Sequence, residues 1–303
     1  MALTLALVLA ALAAAPFAAE ALRTPAHRRR AGAPGRFANL PSGWTHFRWW
    51  GEREGTADGR VAVLIHGLTT PSFVWEGLAP MLVARGWRCL AYDLYGRGHS
   101  QAVPGRQDAA FFLRQLEELL DHEALTGPVV IVGYSMGGAI ATAFAARHPG
   151  RVARLVLVAP AGLGHRLSPL ERLGERTPIL GDWLMRVFGG INLRRHLGRL
   201  TGARSTVPDI ARRQIAETRA RGFLPAVLSS QRHMLAGDQE GLHRALAAAG
   251  VSVAAVWGDA DTVIPLAARD RLAALNPAAR QVVVAGATHG LPHTHPEAVA
   301  ELL

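Results

Sequence analysis

Six short runs of this chain carry almost no polar side chain: "GRVAVLIHG" from Gly59, "RCLAYD" from Arg88, "PVVIVGYS" from Pro128, "VARLVLVAP" from Val152, "VSVAAVWG" from Val251 and "RQVVVAG" from Arg280. A strand with one wet face alternates apolar and polar residues, so strands that are apolar throughout must be covered on both faces. The covering material lies between them. Helix-length segments are expected at about 73–85, 108–122, from Ser135 onward, 266–275 and 296–303. Strand and helix in steady alternation predict an α/β fold, a mostly parallel sheet covered by helices. "THFRWWGE", from Thr45, alternates and adds a further strand.

Between Gly162 and about Phe223 the strand signal stops. Leu-rich and Arg-rich pieces such as "GDWLMRVFG" and "DIARRQIAETRA" read as helices that belong to neither half of the sheet, so a helical cap is expected at about 163–223, over the C-terminal edge of the strands. Its apolar residues Leu167, Leu170, Leu173, Trp183, Leu184 and Phe188 suit two readings, an apolar acyl pocket or the cap's own core. The chain has 303 residues, half of them hydrophobic, enough for one large core with an insertion. The main domain is expected over 44–303, and 22–43, rich in Arg, Pro, Gly and Ala, reads as a lead-in or linker.

Residues 1–21 form a hydrophobic membrane anchor or signal segment: 3–19 carry no charge. At about 1.5 Å per residue, helical 3–19 would reach across most of a roughly 30 Å hydrocarbon layer. Positive charge follows the run, at Arg23, Arg28, Arg29 and Arg30, which favours an uncleaved inner-membrane anchor with the domain on the cytoplasmic side. "AEA" at 19–21 offers small residues at cleavage spacing, so export after cleavage is the alternative. Membrane association through 3–19 is the expectation common to the first reading and to a lipid substrate.

The formal charge is +10, yet all 33 basic residues are Arg and most are dispersed, apart from "HRRR" at 27–30 and "NLRRHLGR" at 192–199. Heavy Ala and Gly usage alongside points to compositional bias, and nucleic acid is not an expected partner. The single cysteine, Cys89, excludes an intramolecular disulfide and reads as core. "AYDLYGRGHS" lacks the glycine order and the Lys-Ser/Thr end of a phosphate loop, so no dinucleotide or NTP is implied, and Asp93 with its glycines is expected to hold a turn. No metal-ligand spacing is visible, and no cofactor is expected.

Gly133, Tyr134, Ser135, Met136 and Gly137 fit G-x-S-x-G between an apolar strand and a small-residue helix. Glycines on either side let the chain turn sharply without Cβ clashes and push the hydroxyl out at the top of the sheet. A plain helix N-cap is the competing reading of Ser135. A hydroxyl needs a base, and His289 in "VVVAGATHG" hangs just past the last strand, over the same edge; His293 and His295 follow and are read as surface or cap histidines. In "WGDADTVIP", Asp261 sits deeper in its loop and is expected to orient His289, with Asp259 shaping the turn. Met136 N–H at the helix start and Leu68 N–H after the Gly67 bend are the candidate oxyanion donors, and His66 is read as bracing that loop.

Taken together, "HGLTTPSFVW", "YDLYGRGHS", "GYSMGG", "WGDADTVIP" and "GATHG" resemble the α/β-hydrolase superfamily over about 40–303, and within it the bacterial serine esterase and monoacylglycerol-lipase-like branch. The resemblance implies an eight-stranded sheet with a helical cap after the sixth strand, Ser135 as nucleophile, Asp261 as acid, His289 as base, and Leu68 and Met136 as oxyanion donors. It implies a cofactor-free serine hydrolase of carboxylic esters, acylglycerols or similar apolar acyl esters, with a small-molecule or lipid ester as substrate. Carbon-carbon bond hydrolases, lactonases and haloperoxidase or perhydrolase relatives use the same triad and remain alternatives, as does a binding protein that kept the fold. Serine argues against the dehalogenases and epoxide hydrolases, whose nucleophile is aspartate. Thr69 and Thr70 stand where many relatives have a glycine and should narrow or polarise the oxyanion mouth.

Overall fold

The computed structural model describes residues 1–51, 60–164, 169–198, 204–237 and 239–303. Its strands are β1 (Arg36–Leu40), β2 (Gly43–Trp50), β3 (Arg60–Ile65), β4 (Trp87–Tyr92), β5 (Val129–Tyr134), β6 (Val152–Val158), β7 (Val253–Gly258) and β8 (Arg280–Val284). They form one eight-stranded sheet in the order β1-β2-β4-β3-β5-β6-β7-β8. β1 and β2 are an antiparallel hairpin, β2 runs antiparallel to β4, and every other pairing is parallel. The all-apolar strands are the buried ones: every residue of β5 and β7 is buried, whereas the edge strand β8 is half-exposed.

The hairpin strand β1 lies inside the stretch read as a lead-in. Its five residues, "RFANL", bury only Ala38 and Leu40 fully, too short an alternation to register among Arg, Pro and Gly, and pairing with β2 makes it a strand.

The helices are α1 (Ala2–Ala21), α2 (Ala26–Arg30), α3 (Leu78–Ala84), α4 (Ala109–His122), α5 (Met136–Arg147), then α6 (Pro169–Arg176), α7 (Pro178–Leu184), α8 (Gly190–Gly198), α9 (Ile210–Glu217) and α10 (Phe223–His233), and finally α11 (Gln239–Ala248), α12 (Ala267–Leu275), α13 (Leu291–Thr294) and α14 (Pro296–Ala300). The single helix expected over 73–85 is a 3-10 turn, Ser72–Glu76, followed by α3. Pro80 has no N–H to give the Glu76 carbonyl, so an α-helix cannot run back through that point. α4 starts cleanly because the Asp108 side chain accepts from Phe111 N at 3.1 Å. α5 is buried on all sides between the sheet and its neighbours α4 and α11, which its run of Gly, Ala and Thr permits.

Helices α6 to α10, with a π-helical turn at Met185–Gly189, follow β6 and form the cap, which runs on past Phe223 to the end of α10. Its core is Ala220, Phe223, Leu224 and Val227, with Leu68, Met185 and Leu193 packed alongside. That is a different set from the one the sequence suggests. Leu173 and Phe188 are 43% and 44% exposed, and Trp183 and Leu184 are half-buried. Leu167 and the Leu170 side chain lie outside the described residues.

α1 is long and apolar enough to cross a membrane, and nearly all of it is exposed. It leans on the π-helical turn of the cap. Pro16 lacks the N–H that would bond the Leu12 carbonyl four residues back, and the Trp183 indole Nε1–H donates to that carbonyl instead, at 2.7 Å. The chain after α1 is also tied to the cap: Thr24 bridges to Ala220, Arg23 donates to the Arg186 carbonyl at 2.8 Å and to the Thr218 carbonyl, and Arg29 pairs with Glu217.

Candidate active site

The sheet order places β4 on one side of β3 and β5 on the other, so successive connections leave β3 in opposite directions and a crevice opens at the C-terminal strand ends. The loops after β3 and β5 meet there. A Cβ added to Gly67 would stand 3.2 Å from Ser135 Cβ and from the Tyr134 ring, so glycine lets the β3 loop pass the serine without a tight contact.

Ser135 caps α5 with φ 52° and ψ −119°, a conformation an L-residue rarely adopts. Three backbone hydrogen bonds hold it: Ser135 N to Val158 O at 3.0 Å, and Gly138 N and Ala161 N to Ser135 O at 2.9 and 3.0 Å. The flanking glycines are forced by contact. A Cβ on Gly133 would lie 2.4 Å from Gly137 O, and one on Gly137 would lie 2.1 Å from Ile65 O. Without a side chain at Gly133 the strand can turn back into its own helix, and without one at Gly137 that helix can pack against the end of β3.

His289 Nε2 lies 3.0 Å from Ser135 Oγ, and His289 Nδ1 lies 2.8 Å from Asp261 Oδ2. The other Asp261 oxygen accepts from Val263 N at 2.8 Å and Ile264 N at 2.9 Å, so the carboxylate is fixed as an acceptor. An acceptor beside Nδ1 assigns the proton to Nδ1 and leaves the Nε2 lone pair facing the serine hydroxyl. The three residues singled out by loop position are brought within hydrogen-bond reach of one another. Asp259 stands apart, accepting from Gly286 N at 2.6 Å across the turn.

Tyr134, the variable residue before the serine, is a contact that pattern reading passes over. Its hydroxyl donates to the His289 carbonyl at 2.9 Å, and its ring lies 5.2 Å from the imidazole. Burial raises its own pKa, keeping it a donor. The only signal for this role was its place in the elbow.

Met136, as first residue of α5, has no intrahelical partner for its N–H, and Leu68 N–H makes no hydrogen bond among the described residues. Both remain able to receive an oxyanion. The Leu68 carbonyl is held by Arg97 Nε at 3.1 Å. Arg97 is fully buried and also donates to Tyr95 O, Gln107, Ala226 O and Ser230 Oγ, so it fastens the Leu68 loop to cap helix α10. Desolvation lowers its pKa to about 9. Thr70 Oγ1 accepts from Gln214 of α9 and so points to the cap.

His66 accepts from Leu94 N at its Nε2, 2.9 Å, and its Nδ1 donates to Gly67 O at 2.8 Å; buried and lowered to about 4 by desolvation, it is a neutral brace. His293 is tied to Ser205 Oγ at 3.1 Å and its carbonyl accepts from Thr206 N at 2.7 Å, which joins α13 to the returning end of the cap. His295 bonds its neighbour Thr294. Asp93 accepts from Ser72 N, His99 N and His46 Nδ1. Burial opposes its charge, but His46 outweighs that and holds the carboxyl below the usual range. Gly98 allows this turn, since a Cβ there would meet Asp93 at 2.0 Å. Cys89 is buried, its thiol pushed up to about 12. Among the described residues, no three His, Cys, Asp or Glu side chains are grouped to hold a metal ion.

The family described as alpha/beta hydrolase fold matches residues 61–296. The chain is similar to the cis-3-alkyl-4-alkyloxetan-2-one decarboxylase of Xanthomonas campestris, 30% identical over 150 residues that cover 46% of this chain and 50% of the relative. It is similar to the lipase LipV of Mycobacterium tuberculosis, 40% identical over 111 residues, 36% of this chain and 41% of that one. The chain thus spans half or less of these two curated relatives. In structure it is similar to the enol-lactonase of Burkholderia xenovorans, with TM-score 0.68 and 22% identity over 88% of this chain and 97% of that one.

Proposed function

This chain belongs to the α/β-hydrolase fold family, and from that premise we propose that it is a serine hydrolase of carboxylic esters, with acylglycerols or similar apolar acyl esters as substrates. The observation that carries the reading is the 3.0 Å and 2.8 Å spacing of Ser135, His289 and Asp261 on three separate loops. His289 Nε2 takes the Ser135 proton as Oγ attacks the ester carbonyl carbon. Leu68 and Met136 N–H groups receive the oxyanion, His289 returns the proton to the departing alcohol, and water repeats the two steps to release the acid. Asp261 keeps the imidazole in the required tautomer and offsets its transient charge, and Tyr134 fixes its backbone.

The apolar acyl preference rests on α1. A helix of 20 residues that exposes its leucines suits a lipid layer, and Arg23, Arg28, Arg29 and Arg30 behind it favour an anchor with the domain on the cytoplasmic side. The ties to the cap from residues that cleavage would remove, the Leu12 and Ala21 carbonyls and the Glu20 carboxylate, favour retention of the segment. A membrane-bound chain beginning at Met1 supports this; one beginning near Leu22 indicates export. A lactone substrate is the second reading, because the Xanthomonas relative is named for an oxetan-2-one, a four-membered lactone, which that enzyme decarboxylates.

The test is hydrolysis of p-nitrophenyl esters from acetate to palmitate by the full chain, beside Ser135→Ala. Turnover peaking at medium or long chains, and lost at least ~10⁴-fold in the variant, is expected. Absence of Ser135-dependent turnover on every ester moves the assignment to lactone, carbon-carbon bond or haloperoxidase-type chemistry.

A further inference from the structure

Apart from Val283, every large apolar side chain exposed among the described residues lies on α1 with its neighbours Met1 and Leu22, or on cap helices α6 to α8 with the π-helical turn. Leu3, Leu5, Leu7, Leu9 and Phe17 of α1 are joined on the cap by Ile179, at 90% exposure, Leu180 and Phe188. The two groups share one side of the molecule, because the Leu12 carbonyl freed by Pro16 is bonded by Trp183 of α7. Where the apolar run of α1 ends, the surface changes to guanidinium. Arg221 donates to the Ala21 carbonyl at 2.6 Å, on the last residue of the helix.

At that level two grooves, of about 400 Å³ and about 410 Å³, share Ala102, Arg186, Gly222 and Pro225. The acids beside them are already engaged: Asp182 with Arg232 at 2.6 Å, and Glu20 with Arg23 at 3.1 Å. Arg186 and Arg221 have no carboxylate partner among the described residues, and Arg186 Nε is buried without any hydrogen-bond partner. Two guanidinium groups that line one groove without a paired carboxylate make it attractive to an anion with oxygens at fork spacing.

We propose that the groove of about 410 Å³, lined by both Arg186 and Arg221, binds the phosphodiester of an anionic membrane phospholipid, with these two residues as its ligands and the acyl chains lying along α1 and the apolar cap face. The phosphate depth of a bilayer is where the apolar length of α1 stops, and Arg221 sits at that end of the helix. The inference rests on α1 lying in lipid and is independent of the esterase reading.

The experiment uses the full chain carrying Ser135→Ala, so that ester cleavage cannot consume the probe, in non-ionic micelles. Dioctanoyl phosphatidylglycerol is expected to raise Tm by about 2–4 °C, and dioctanoyl phosphatidylcholine and inorganic phosphate at the same concentration to raise it far less. Arg186→Gln should weaken the phosphatidylglycerol response at least ~10-fold in concentration. Arg221→Gln, at an exposed position, should weaken it as well and serves if the first variant melts non-cooperatively. Equal response to inorganic phosphate, no response to phosphatidylglycerol, or an unchanged response in both variants would overturn the site. Flotation with phosphatidylcholine vesicles separates the two readings. A chain that fails to float loses the α1 reading and this inference with it, whereas one that floats but shows no phosphatidylglycerol response loses the headgroup site alone.

Discussion

At Ser135 the fold stores strain where chemistry is proposed. A non-glycine residue at φ 52°, ψ −119° costs about 1–3 kcal/mol, held by the backbone bonds to β6 and by glycines that cannot be replaced. Glycine adopts this conformation freely but carries about 0.5–1 kcal/mol of extra unfolded-state entropy. Ser135→Gly is therefore expected to raise stability by about 1 kcal/mol net while abolishing turnover, and Ser135→Ala to leave stability near that of the parent. Urea denaturation of the three proteins in the same micelles checks this; a glycine variant no more stable than the alanine one would show that the elbow is unstrained. The five-residue elbow is legible in one sequence because its glycine and serine spacing is local. Tyr134 is not, because its partner is a carbonyl on His289, brought near only by folding.

Among the elements, the cap has a small apolar core of its own and is tied to the rest by polar contacts such as Thr70–Gln214 and Glu76–Arg213. Its core has four fully buried members, Ala220, Phe223, Leu224 and Val227, and the buried Arg97 fastens α10 to the Leu68 loop. Truncating the largest of the four should release the cap before the sheet. Phe223→Ala is expected to lower the opening free energy of α9 and α10 by about 3–5 kcal/mol, read as faster amide exchange there with the β3, β5 and β6 amides unchanged. Uniform acceleration throughout the chain would mean that cap and sheet open as one unit. The existence of the cap is legible from the missing strand pattern after Gly162. Which of its faces is inner is not, because the segment breaks into short helices around a π-helical turn and no single period runs through it.

For the whole molecule, buried histidines set the acid response. His66, His243 and His293 are each lowered by burial to about 4, from an ordinary value near 6.5, and His99 is lowered in the same direction. Between those values the unfolded chain binds protons that the folded chain refuses. Their stabilisation is full above pH 6.5 and declines as pH falls toward 4. His46 runs the other way: burial opposes its charge, but Asp93 raises it, so its contribution is full below pH 6.5 and is lost as pH rises through the higher folded value. The lowered group is the larger, and a net loss on acidification is expected, about 2 kcal/mol from each of His66 and His243 between pH 6.5 and 5. His243 has an unpartnered buried Nδ1, so His243→Leu should flatten the slope measured by denaturation at pH 7, 6 and 5. An unaltered slope would exclude His243 as a contributor.

The sequence by itself determined the α/β class, the six apolar strands with most of the helices that cover them, the helical insertion after β6, the apolar helix at the start, and the loops that carry Ser135, Asp261 and His289. All of these follow from short-range signals: apolar runs too continuous for a one-sided sheet, glycines spaced for one sharp turn, and polar residues just past strand ends. Only the tertiary structure decided that "RFANL" pairs as β1, that Arg97 joins the Leu68 loop to α10, that residues after Ala21 grip the cap, and that Trp183 reaches the Leu12 carbonyl left open by Pro16. Each of these joins residues from separate elements, and a contact made by chain return leaves no periodicity or spacing in either partner's local sequence.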